Sequence, residues 1–415
     1  RKILRILYRL VDIELTYTII LKMRLLFRQD QLKIYRRKCF RYITYQILNK
    51  TYFLYFAILF PLNLIVSIFL FFKLNFSEKR KKIIIRNDRL GDSILTLPFI
   101  FGSKNREEFY FVSDILDSIL KQFKFQTNWK SFEFIDGNYS NIFIANLSCK
   151  KIETFKKFIP NKYLSLNIIS QLSFYFSFDS GIPLMFTPNF ASNFSQTSFI
   201  NSSLKRIGIK TNPIKGIELL NQKIKCFENP YPNIKFVVIV SGLGIDNGRK
   251  MNSKFIKKIV KELISKSFIP ILLEEPGFTK ESKALAIENN IETEKCDNIL
   301  DLFLLLSKAR FVIGYDCGPM HIASLVSNSI TLFSHVSPNQ WGSHIWNLQL
   351  YEKTLKRNNQ RLYYRKQINR GNNKDNWIIY KNKGNCPLHR KICSDEKCSR
   401  LDEDLIIEGI NKIII

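Results

Sequence analysis

Asp92 and, far downstream, Asp316 and His321 each stand where an apolar, β-branched run gives way to a helical pattern. The first junction reads IIIRNDRLGDSILTLPF from residue 83, the second FVIGYDCGPMHIASLVSN from residue 311. An acid at such a turn has two readings. It is a first-turn residue that stabilises a helix by roughly 0.3–1 kcal/mol, or it is a general base at the mouth of a cleft that deprotonates a hydroxyl. At the second junction Gly318 lets the backbone approach a ligand, and the N–H groups of the helix starting there suit a phosphate. His321, one turn in and one of only four histidines, could donate to that phosphate or to a nucleotide hydroxyl. Taken alone, it fits a satisfied core histidine equally well.

A third loop, SGLGIDNGRKM (241–251), follows another apolar run and holds three glycines. Backbone donors beginning at Ser241 and Gly242, with Arg249 and Lys250 just before the next helix, suit an anionic leaving group such as a nucleotide diphosphate. The plain alternative is a solvated basic loop. The spacing is not that of a Walker A loop, and the first junction has Gly91 but no GxGxxG, which disfavours a dinucleotide site.

The elements that must position these residues alternate. KIIIR (82–86) reads as a buried strand and KFVVIVSG (235–242) as another. NSKFIKKIVKELISK follows as a helix, with Phe255, Ile256, Ile259, Val260, Leu263 and Ile264 at helical spacing behind Asn252 or Ser253 as cap. Then come IPILLEE, ESKALAIENN, DNILDLFLLLSKAR, FVIGYD, GPMHIASLVSN and SITLFS in strand–helix alternation. That order predicts an α/β class with parallel sheets covered on both faces. All three loops then lie at the carboxyl ends of strands, facing a cleft between two domains.

Composition bounds the partners. The chain has 415 residues, 46% hydrophobic and 24% charged, enough to bury more than one core. Lys and Arg number 64 against 35 Asp and Glu, a formal charge of +29 that favours anionic partners. Abundant Lys, Ile, Asn and Phe could also reflect AT-rich coding sequence. Eight mostly scattered cysteines suit a reducing compartment. The first residue is Arg, so the natural start is expected upstream.

Residues 1–80 form a separate region. Its first fifty residues mix basic and apolar positions, as in LYRLVDIELTYTIILKMRLLF, the pattern of a membrane-surface helix. TYFLYFAILFPLNLIVSIFLFF (51–72) has no charge and would just cross a hydrocarbon core of roughly 30 Å. Pro61, Asn63 and two basic flanks keep open a re-entrant hairpin, and a buried globular helix is the third reading.

The two junctions resemble, in order and spacing, the opening motif and the C-terminal-domain motif of glycosyltransferase family 9, the ADP-heptose:lipopolysaccharide heptosyltransferases. The similarity runs over roughly residues 82–342. The resemblance implies a GT-B fold of two Rossmann-like domains, here 81–232 for the acceptor and 233–345 for the nucleotide-sugar. It implies inverting, metal-independent transfer with no cofactor. Asp92 matches the catalytic base, with Asn87, Arg89 and Gly91 as the acceptor-side loop. Lys250 matches a lysine on the donor diphosphate. Asp316, Gly318, Met320 and His321 match the donor turn, and Glu274 or Glu275 a ribose-binding acid. With Ser241, Gly242, Arg249 and Glu275 these complete the candidate donor site.

Two departures bear on donor recognition. Cys317 stands where the family has Thr or Ser, and LFSHV (332–336) replaces a Gly-Pro turn. The implied partners are a nucleotide-sugar, ADP-heptose first, a lipid-linked glycan acceptor and the cytoplasmic face of an inner membrane, with no nucleic acid. A non-catalytic basic membrane- or anion-binding protein, a transferase using another nucleotide-sugar, and a nucleotide-sugar epimerase on a similar fold are the rivals.

Residues 346–415 hold three pieces. The polar, basic run 352–384 reads as a mobile insertion that could meet anionic lipid or phosphorylated glycan. CPLHRKICSDEKC carries Cys386, His389, Cys393 and Cys398, whose spacing matches no standard zinc knuckle and also permits a disulfide or a plain structural role. DEDLIIEGINKII reads as a closing helix, which in GT-B proteins packs back on the first domain.

Overall fold

The computed structural model describes residues 82–85, 90–104, 109–112, 116, 119–120, 141–144, 195, 197–198, 200–201, 204, 209–228, 230–231, 235–243, 250–334, 338–342, 345–357, 360–381 and 401–414. The basic N-terminal region with its apolar run 51–72, and Cys386, His389, Cys393 and Cys398, lie outside them. Among the described residues no helix is long and apolar enough to cross a membrane.

The first half contributes a parallel three-stranded sheet. β1 (Lys82–Ile85) lies between β2 (Phe109–Val112) and β3 (Asn141–Ile144). After β1 come two short helices, α1 (Leu90–Ile94) and α2 (Leu97–Phe101), the latter entirely buried and started by Pro98. α3 (Pro213–Lys225) crosses α2 closely enough that a Cβ on Gly216 would lie 1.9 Å from the Pro98 carbonyl oxygen.

The second half is an eight-stranded sheet. Its parallel part comprises β4 (Phe236–Val240), β5 (Ile269–Leu273), β6 (Glu292–Glu294), β7 (Phe311–Tyr315) and β8 (Ser329–Phe333), in the order β6-β5-β4-β7-β8. β4, β7 and β8 are buried at every position. Helices cover both faces, which is why β4 and β7 read as continuously apolar; β8 instead buries Ser329 and Thr331 on one face. α4 (Ser253–Ser265) is capped by Asn252, whose Oδ1 accepts the Phe255 N–H at 2.8 Å, and buries Phe255, Ile256, Ile259, Val260 and Leu263. Ile264 is exposed instead, at the margin of that apolar stripe. α5 (Thr279–Asn289), α6 (Ile299–Lys308) and α7 (Gly318–Val326) follow, α6 opening with a capping box between Asn298 and Asp301. The chain winds from β4 to one edge and then returns to β7, so the gap between β4 and β7 is the topological switch point.

Two expectations need correcting. The run 352–384 is not an insertion over its described part. After the short α8 (Pro338–Trp341), β9 (Asn347–Arg357), β10 (Gln360–Asn369) and β11 (Lys374–Tyr380) extend the same sheet. β11 pairs parallel with β8, and β10 and β9 add antiparallel. One face buries Leu355, Leu362, Tyr364, Trp377 and Ile379. The other buries polar side chains, Arg365, Gln367 and Asn376 among them, so no apolar alternation shows in the sequence. The closing helix, α9 (Glu403–Ile413), packs on α4 and this strand extension, and among the described residues its buried stripe joins their core and not that of the first half. Leu405, Ile406 and Ile410 supply its buried stripe, and Lys258 reaches Asp404 at 2.7 Å.

The two halves share a core. One cluster joins Ile94, Phe99 and Phe101 to Ile217 and Leu220 of α3, and these to Leu305 of α6 and Ala323 and Leu325 of α7.

Candidate functional site

The turn between β7 and α7 begins with a close approach of helix to strand. A Cβ on Gly314 in β7 would lie 2.8 Å from Met320 Sδ and 2.9 Å from Val240 Cβ, so only glycine lets α7 rest directly on β7. The start of α7 is thereby held at the carboxyl end of β7, beside the switch point. Cys317 is its N-cap residue in extended conformation, and no side chain caps the helix. A thiol is a weak acceptor, so Cys317 caps this helix less well than a Ser or Thr hydroxyl would. Asp316 is 5% exposed, and its Oδ1 lies 3.3 Å from His321 Nε2. The acid and the imidazole that opened the sequence reading are therefore neighbours across one helical turn.

The loop after β4 is organised by Glu275. Its Oε1 accepts three donors: Ser241 Oγ at 2.8 Å, the Gly242 N–H at 2.6 Å and the Leu243 N–H at 3.0 Å. Gly242 has φ +76°, which suits a residue without a Cβ and lets consecutive N–H groups converge on one oxygen. The Met251 N–H then closes the loop onto the Ser241 carbonyl at 2.8 Å, so the exposed Lys250 emerges at its base. Glu274 faces elsewhere: Thr293 Oγ1 donates to its Oε1 at 2.8 Å, and Lys283 Nζ lies 3.8 Å away. Of the two acids offered by the sequence, Glu275 is the one bonded to the loop after β4.

The first junction meets the second directly. α1 packs on α7 at their amino ends. A Cβ on Gly91 would lie 2.6 Å from His321 Cδ2, and one on Gly318 would lie 2.8 Å from Leu90 Cδ2. Asp92 is the third residue of α1, placed here by its backbone.

Gly91, Asp92, Gly318 and His321 are thus drawn to one place, with Asp316 beside His321. Ser241, Gly242 and Glu275 form one connected loop with Lys250 at its foot. Asn87, Arg89 and Arg249 lie outside the described residues. Met320 is 2% exposed, and its side chain packs on β7 at Gly314. Among the described residues no three His, Cys, Asp or Glu side chains gather as metal ligands would.

A buried polar group behind α7 escaped the sequence reading. Ser329 Oγ and Asn376 Oδ1 are 2.8 Å apart, and Asn376 Nδ2 donates to the Ser324 carbonyl at 3.1 Å. Gln367 and Asn347 complete a small cavity that also reaches His321. The signal lay in NRGNNKDN, whose amides looked like solvent-facing loop chemistry.

Both loops lie at the switch point of a sheet ordered β6-β5-β4-β7-β8, and one known family matches part of this sheet. Residues 297–376 match the family glycosyltransferase family 9 (heptosyltransferase). The matched segment runs from α6 through the turn between β7 and α7 to the start of β11. No curated protein matches the chain at a significant level. Among solved structures, similarity extends to a glycosyl transferase family 9 protein from Veillonella parvula, at 11% identity over 81% of this chain and 98% of that one, with a TM-score of 0.48. The E. coli heptosyltransferase WaaC with ADP aligns at 11% identity over 80% of this chain and 99% of that one, TM-score 0.47. E. coli ADP-heptose lps heptosyltransferase II aligns at 10% identity over 80% and 98%, TM-score 0.41.

Proposed function

We propose that this chain is an inverting, metal-independent glycosyltransferase that moves heptose from ADP-heptose to a lipopolysaccharide-core or related lipid-linked glycan. The observation that carries the reading is the packing of α1, with Asp92, onto the donor-turn helix α7 at Gly91 and His321. It puts a candidate base within the same small region as a helix amino end suited to phosphate, which is the juxtaposition group transfer needs.

In this reading Asp92 takes the proton of an acceptor hydroxyl as its oxygen attacks the anomeric carbon on the face opposite the diphosphate. The bond from that carbon to the diphosphate oxygen breaks, and its electron pair leaves with the nucleoside diphosphate. Lys250 and the first-turn N–H groups of α7 stabilise that developing charge. His321, held beside Asp316, orients the departing group. The choice of heptose and ADP rests on the family matched by residues 297–376 and on the two motifs.

Calorimetric titration with ADP, UDP and GDP tests it. The expected result is preferential ADP binding that weakens in Lys250→Ala. Asp92→Ala should bind ADP normally and lose transfer from ADP-heptose. A preference for UDP or GDP would discard heptose while keeping a transferase. No binding of any of the three would overturn the reading, and full transfer by Asp92→Ala would remove Asp92 as base.

A further inference from the structure

We infer that the outer edge of the strand extension, β9 with the β9–β10 hairpin, is a docking surface for an anionic lipid bilayer. This goes beyond the transferase reading and does not depend on it. Among the described residues, large hydrophobic side chains exposed by more than a third are few, and three of them fall in one stretch of β9: Leu348 at 51%, Leu350 at 49% and Tyr351 at 37%. β9 is the last strand of the sheet, so these side chains stand at an outer margin. Leu350 is the extra residue at the register shift opposite Lys366 and Gln367.

Charge surrounds this apolar margin. Residues 347–381 contain nine Lys and Arg against two acids, Glu352 and Asp375. Both acids already face cations of the extension, Glu352 with Arg365 at 3.0 Å and Asp375 with Lys366 at 2.8 Å. The field beyond the edge is therefore positive. Lys353 lies over the Tyr351 ring at 5.2 Å, and Tyr351 packs edge-on against Trp377 with ring centroids 5.8 Å apart. An amphipathic aromatic beside a basic stem, next to two bare leucines, is the chemistry of a headgroup interface: rings at headgroup level, leucines in the acyl boundary, cations on phosphates.

Two other occupants fit less well. A nucleic acid would use the cations and the ring, but Leu348 and Leu350 offer it nothing. A second copy pairing along β9 would bring Lys353, Lys356 and Arg357 against like charges, which is how edge strands commonly resist self-association.

The test uses the full chain with a dansyl-type fluorescent amino acid in place of Leu350, mixed with phosphatidylglycerol–phosphatidylcholine vesicles. The expected result is a blue shift, quenched by lipids brominated near the headgroup and absent with pure phosphatidylcholine. Reversing Lys353 and Lys356 to Glu should weaken vesicle binding by roughly fivefold or more per charge. If the chain sediments with vesicles but the probe at 350 does not respond, another part of the chain binds and the inference is overturned. Absence of sedimentation overturns it as well. A blue shift that needs no lipid and grows with protein concentration would assign the edge to a second copy instead.

Discussion

Gly91 and His321 touch across the two halves of the chain: a Cβ on Gly91 would lie 2.6 Å from His321 Cδ2 and 3.2 Å from its Nε2. The contact is reciprocal at the other helix start, where Gly318 makes room for Leu90. Each junction thus carries a glycine because the opposite junction is there. A chain that used these glycines only for tight turns would have no reason to match them face to face.

Gly91→Ala should therefore impair the site before it unfolds the protein. The imidazole must rotate or α1 must move by several tenths of an ångström, and overpacking of this kind typically costs about 1–3 kcal/mol. Aligned groups displaced by that much lose rate steeply, so transfer should fall roughly tenfold or more. Adding His321→Ala should restore thermal stability without restoring transfer. Equal stability losses in Gly91→Ala and in the double variant would show that the contact does not constrain α1.

Glu275 gives a second handle, because three donors converge on one of its oxygens. Glu275→Ala leaves the buried Gly242 and Leu243 N–H groups and the Ser241 hydroxyl without that acceptor. The cost should be about 1–3 kcal/mol in urea unfolding, accompanied by weaker nucleotide binding as the loop loosens. Glu275→Gln keeps an acceptor oxygen and should recover much of the stability. A Gln variant as unstable as the Ala variant would mean that charge, rather than hydrogen bonding, holds the loop.

Sequence legibility followed burial. β4 and β7 were readable because both faces are apolar, and α4 because Phe255, Ile259 and Leu263 repeat at helical spacing. The strand-to-helix turn after β7 was readable because Gly318 and His321 follow closely on the apolar run. The strand extension was not, since Arg365, Gln367 and Asn376 are buried polar residues and the ammonium groups of Lys353 and Lys366 sit over aromatic rings. Periodicity cannot see a strand whose inward face is hydrogen-bonded rather than greasy. The approach of Gly91 to His321 is a long-range packing fact that no local pattern encodes.

Cysteine reactivity should divide sharply. Burial, with lesser contributions from Glu294, Asp301 and Asp297, pushes the Cys296 thiol up to about 12, outweighing its hydrogen bond with Tyr231. At pH 8 its thiolate is only about one part in ten thousand, and alkylation proceeds through the thiolate. Cys226 is exposed on the end of α3. Iodoacetamide labelling followed by peptide mass spectrometry should find Cys226 modified well before Cys296. Comparable rates would mean that the Tyr231–Cys296 contact opens readily in solution.

The ion pair between Arg365 and Glu352 should be structural rather than incidental. Arg365 is 5% exposed, and its guanidinium bonds Glu352 at 3.0 Å, the Tyr380 hydroxyl at 3.1 Å and Asn339 Oδ1 at 3.1 Å. Tyr380 also donates to Glu352, and burial followed by that bond raises its phenol well above the usual range. Arg365→Met removes the cation and leaves Glu352 and the phenol facing one another in a mostly dry site. Breaking a buried pair from one side costs about 3–5 kcal/mol, and the lower end applies because the Glu352 side chain keeps 19% of its exposure. Glu352→Gln should cost less, since the amide still accepts from Arg365 and Tyr380. Urea midpoints of the two variants separate the cases: if Arg365→Met is no worse than Glu352→Gln, the strand extension is held by its apolar face alone, through Leu355, Leu362 and Ile379.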